Sequence, residues 1–78
     1  MKKGILIRID CNRTLFWQGD YSVSHSINPV HFIEQDMIKN PIAVFLEFDY
    51  TGMYSKILWH GKVGWINSNA AESAENMI

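Results

Sequence analysis

The stretch that decides the fold is Ile57-Leu58-Trp59-His60-Gly61-Lys62-Val63-Gly64-Trp65-Ile66-Asn67-Ser68-Asn69. Two short runs of aromatic and aliphatic residues flank His60-Gly61-Lys62, and the second run stops at small polar residues. Such residues suit a pleated, half-buried surface. A glycine-containing turn between two such runs returns the chain as a β-hairpin. Each Trp carries enough apolar surface to supply a large part of a small core. Alternate side chains of a strand share a face, so Ile57 and Trp59 are assigned inward and Leu58 falls on the opposite side.

The same alternation extends back along the chain. Ile42 to Tyr50 is the clearest single strand: Ile42, Val44, Leu46, Phe48 and Tyr50 share one face, and Ala43, Phe45, Glu47 and Asp49 the other. Thr51-Gly52-Met53 turns the chain into a strand over Tyr54–Trp59, and Val63–Ile66 follows the second turn. Near the start, Ile5, Ile7 and Ile9 alternate with Leu6 and Arg8, which predicts a half-buried strand over Gly4–Asp10. Thr14–Gln18 is another strand candidate, rich in β-favouring residues. Gly19–Asn28 reads as a loop longer than most connections. In Val30–Lys39 the spacing of Val30, Ile33 and Met37 suits a short helix, while a short strand over Val30–Glu34 fits as well; Asn40-Pro41 ends either. Ser68–Ala74 suits a single helical turn, and Asn76–Ile78 a frayed end or a last edge strand. Short strands joined by short turns predict one all-β domain over residues 1–78, a small closed barrel of about five strands. Its expected core is Ile5, Ile7, Ile9, Ile42, Val44, Leu46, Phe48, Ile57, Trp59 and Trp65.

Composition bounds the function. A chain of 78 residues buries roughly 60–65% of its unfolded surface and is marginal in stability without help. Cys11 is the only cysteine, so no internal disulfide supplies that help. A lone thiol, with an apolar start interrupted at Arg8 and Asp10, reads as a cytoplasmic chain with no signal peptide or membrane span. Net charge is -1, and the seven basic residues are dispersed among acids, which disfavours duplex binding. With 47% hydrophobic residues on so small a scaffold, some apolar surface is expected to remain outside and to favour a partner or self-association.

The residues that carry chemistry do not assemble. His25, His31 and His60 lie far apart, and Cys11/His25 and His31/Glu34 lack the spacing of zinc ligands. Asp10 beside Cys11 raises a thiol pKa instead of activating it. Glu34/Asp36 and Glu47/Asp49 are carboxylate pairs that match the solvent face of a strand. Gly61-x-x-Gly64 lacks the Gly-Lys-Ser/Thr ending and the following helix of a phosphate loop. The expectation is therefore a non-enzyme without metal or cofactor. The aromatic set Trp17, Tyr21, Phe45, Tyr50, Tyr54, Trp59 and Trp65 leaves core, protein interface and single-strand nucleic-acid platform as alternatives.

Gly61-Lys62-Val63-Gly64-Trp65-Ile66-Asn67-Ser68-Asn69 resembles the end of a Src-homology-3 domain, which carries a Gly-x-x-Gly-aromatic-aliphatic-Pro-Ser-Asn-Tyr run and a Trp on the preceding strand, here Trp59. The resemblance implies a small barrel. Asn67 and Ala70 stand where that family has the Pro and Tyr of its polyproline groove, so it does not imply that ligand. The hairpin is also similar, more loosely, to those of small phage proteins of no agreed activity, and the architecture is shared with Sm-like rings. The leading expectation is a non-catalytic interaction module acting through a protein partner or its own copies, as a homodimer or small ring. The alternative is a nucleic-acid-binding Sm-like or single-strand-binding barrel. The candidate interface is Leu6, Phe45, Tyr50, Tyr54 and Leu58, with the 19–28 loop and the 30–39 segment as rival covers for it.

Overall fold

The computed structural model describes residues 1–24 and 33–74. It contains strands β1 (Leu6–Ile9), β2 (Trp17–Gln18), β3 (Ile42–Phe48), β4 (Tyr54–Trp59), β5 (Lys62–Asn67) and β6 (Ala71–Ser73), with a short helix α1 (Gln35–Lys39) and a 3-10 turn at Ser68–Ala70. All pairings are antiparallel, in the order β2-β5-β4-β3-β1-β6. The mostly-β expectation holds. The closed five-stranded barrel does not: there are six strands in one open sheet, and edge strands β2 and β6 do not pair. The expected loop over 19–28 and segment over 30–39 lie partly outside the described residues, and the expected edge at 76–78 lies wholly outside them; the described edge strand is β6.

The sheet is nonetheless strongly curled. In the sheet, β5 and β6 are separated by β4, β3 and β1, roughly 19 Å if flat. The four-residue step from Asn67 to Ala71 spans at most about 14 Å. Only a curled sheet brings the end of β5 to the start of β6. Backbone bonds fix that corner: Ser68 N–H donates to the Met53 carbonyl at 2.8 Å, and Asp10 N–H to the Ala70 carbonyl at 2.8 Å.

The hairpin forms where its sequence predicts. His60 and Gly61 both take positive φ, 47° and 75°, as a two-residue turn matched to strand twist requires. Histidine is among the few side chains that occupy this region readily. Gly64 faces inward, and its missing side chain makes room for Phe16: a Cβ there would collide with the Phe16 ring and lie 2.9 Å from the Trp17 carbonyl. Phe16 thereby packs edge-on against Trp59, ring centroids 6.3 Å apart.

Inside the curl sit Ile7, Ile9, Phe16, Met37, Ala43, Phe45, Ile57, Trp59, Ile66 and Ala71. Helix α1, too short to be stable alone, is anchored by the fully buried Met37. Two further ties help: Trp59 Nε1 donates to the Asn40 carbonyl at 2.9 Å, and Lys62 Nζ meets both Glu34 oxygens at 3.0–3.1 Å.

The expected core is inverted on β3. Ala43 and Phe45 point inward, whereas Ile42 and Phe48 are largely exposed and Val44 and Leu46 half-buried. The cause is register. Ile7 lies opposite Ala43, and Phe45 opposite Ile57. Directly opposed residues share a face, so the buried Ile7 and Ile57 draw Ala43 and Phe45 in. A register shift between Phe45 and Glu47 then breaks the simple alternation expected to run to Tyr50. Trp65 is buried but lies outside the main core, opposite Lys56 and Trp17 on the outer face. Ile5 is only partly buried, against the core's edge.

Candidate interaction surface

The inversion of β3 rearranges the outside of the protein. Leu6 lies opposite Val44, Val44 opposite Leu58, and Leu58 opposite Val63. Four aliphatic side chains from β1, β3, β4 and β5 thus form one continuous row across the outer face. Leu6 is 52% exposed, Leu58 36%, and Ile42, the neighbour of Val44 along β3, 38%. Single exposed aliphatics are ordinary; a contiguous patch is not.

Charged residues flank the row on both sides. Arg8 lies opposite Ile42 on one flank, and Glu47 opposite Lys56 on the other. The Lys56 ammonium turns to Asp20, 3.8 Å away. The Arg8 and Glu47 side chains are exposed and make no ion pair or hydrogen bond among the described residues, although Arg8 stands opposite Glu72 and Glu47 opposite Lys56 in the ladder.

Of the five predicted interface residues, Leu6 and Leu58 enter the row. Tyr54 stands on the same outer face of β4, four residues before Leu58, with its ring edge-on to Trp17 at 5.7 Å. Tyr50 is exposed in the turn after β3. Phe45 is 2% exposed and belongs to the core, so it contributes nothing to an outer surface. Val44, Val63, Ile42, Arg8 and Glu47 are additions to the expected interface; for Ile42 and Val44 the signal is the β3 register, which pairing reveals and alternation does not.

Within its described part, the 19–28 loop borders the row: the Gly19 N–H donates to the Val63 carbonyl at 3.0 Å, and Asp20 lies 3.8 Å from Lys56. Helix α1 delivers Met37 to the interior. The 19–24 segment is tied to the far end of β3 by Asp49. Ser22 and Ser24 hydroxyls donate to Asp49 Oδ2 at 2.8 and 2.7 Å, and the Thr51 hydroxyl and amide to Oδ1 at 2.6 and 3.1 Å. Burial by itself raises the Asp49 carboxyl pKa. The bonds from Thr51, Ser24, Ser22 and the Tyr54 backbone outweigh it and hold the group well below the usual carboxylate range.

A cavity of about 380 Å³ opens beside the β1–β6 edge, lined among others by Arg8, Asp10, Cys11, Ile38 and Glu72. Burial, then the charge of Asp10, push the Cys11 thiol up, and Arg8 offsets this only in part. The thiol donates to the Ile9 and Met37 carbonyls at 3.7 and 3.8 Å. It therefore stays protonated near neutral pH. The Asn67 amide donates to Thr14 Oγ1 at 2.8 Å and Ala70 is fully buried, so these two positions are used in holding the corner. Among the described residues no group of three potential ligands gathers to hold a metal ion, and no helix is long and apolar enough to cross a membrane.

No family model, no curated protein and no solved structure matches this chain.

Proposed function

We propose that this protein is a non-catalytic interaction module, a Src-homology-3-like or Sm-like small barrel that docks a protein on the outer face of its sheet. The observation that carries the reading is the Leu6–Val44–Leu58–Val63 row, aligned by register, with Leu6 and Leu58 exposed and Val44 and Val63 half-buried. The barrel assignment is supported by the strong curl, by the last described strand lying beside the first, and by the Gly61–Trp65 hairpin with its following 3-10 turn. Burying an aliphatic side chain contributes about 1.5–3 kcal/mol. That is a large increment for a domain whose whole stability is about 5 kcal/mol.

The test uses wild type and Leu58→Glu protein in two assays, light scattering and affinity capture. Wild type is expected to exceed the mass of a 9.0 kDa monomer or to retain a protein that the variant loses. Identical behaviour of the two in both assays overturns the reading. Tight binding of a single-stranded oligonucleotide that weakens steeply with salt also overturns it, in favour of a nucleic-acid module.

A further inference from the structure

We draw no further inference here: the strongest candidate, the cavity of about 380 Å³ beside the β1–β6 edge, carries nothing, because its Arg8 stands opposite Glu72 within its own ladder, its lone thiol Cys11 donates to the Ile9 and Met37 carbonyls, and nothing in the structure shows what would fill it.

Discussion

On the inner face of the sheet, Ile7, Ala43, Phe45 and Ile57 are sealed between Trp59, Phe16 and Met37. On the outer face, Leu6, Val44 and Leu58 stand one residue along from that set and line up with Val63 of β5; Leu6 and Leu58 are exposed, Val44 and Val63 half-buried. The two sets are close in apolar character. What separates them is closure: the curl of the sheet, Phe16 in the space left by Gly64, and α1 with Met37 fill one side only. Apolar side chains became core where the chain's own topology brought a cover, and surface where it did not.

The largest effect expected from this contrast is between Phe45 and Leu58. Phe45→Ala removes a ring that packs inward and touches Phe48 edge-on, centroids 4.9 Å apart. It should cost about 3–5 kcal/mol, enough to unfold much of the protein. Leu58→Ala removes a side chain already a third in solvent and should cost about 1 kcal/mol or less in the monomer. Urea unfolding at a concentration low enough to keep the protein monomeric measures both. Equal costs would mean that the outer row is covered within one chain, and the contrast between the faces would collapse.

A second effect, of intermediate size, concerns what ties the 19–24 segment to the end of β3. Asp49→Asn keeps the shape but gives up charge-assisted bonds from Ser22, Ser24 and Thr51, a loss of about 1–3 kcal/mol. The sign of the pH dependence follows from the depressed carboxyl. Its stabilisation is fully present above the unfolded-state pKa of about 3.9 and is lost as pH falls from there toward the lower folded-state value. Wild type should therefore lose stability more steeply than Asp49→Asn on acidification from about pH 5 to pH 2, in chemical denaturation followed at each pH. Parallel pH profiles would show that the network does not stabilise the carboxylate.

Much of this arrangement is legible in the sequence, and the limits have physical causes. Tyr54–Trp59 is a strand over its predicted bounds, and the His60-Gly61 turn follows from residues that tolerate positive φ. Leu6 and Leu58 were placed outside correctly because their strands carry an unambiguous inner set, Ile7 and Ile9, Ile57 and Trp59. The β3 strand has no such set: Ile42, Val44 and Leu46 outweigh Ala43 and Phe45, so alternation alone assigns the wrong face inward. Pairing with β1 and β4 settled it, and pairing is non-local information. Ser22 and Ser24 meet Asp49 across 27 and 25 residues of chain, which no local pattern encodes. The connection that curls the sheet was visible as a short turn, but its consequence depends on where β6 pairs.

The smallest expected effect separates the two tryptophans of the hairpin, which sit on opposite faces. Trp59 is locked inside: its indole N–H donates to the Asn40 carbonyl, and His60 stacks on its ring at 4.6 Å. Trp59→Phe removes that bond, strands a carbonyl at the end of α1 and leaves space in the core, for a loss of about 1–2 kcal/mol. Trp65 is as well buried, under Lys56 and Trp17, but its indole N–H has no partner among the described residues. A buried donor without a partner carries a desolvation penalty of about 1–3 kcal/mol. Trp65→Phe sheds that penalty together with some apolar area, and the two changes nearly cancel, leaving stability within about 0.5 kcal/mol of wild type. Unfolding of the two variants side by side distinguishes the cases. If Trp65→Phe costs as much as Trp59→Phe, the outer indole is hydrogen-bonded to solvent, and the outer face is wetter beside the aliphatic row than its burial implies.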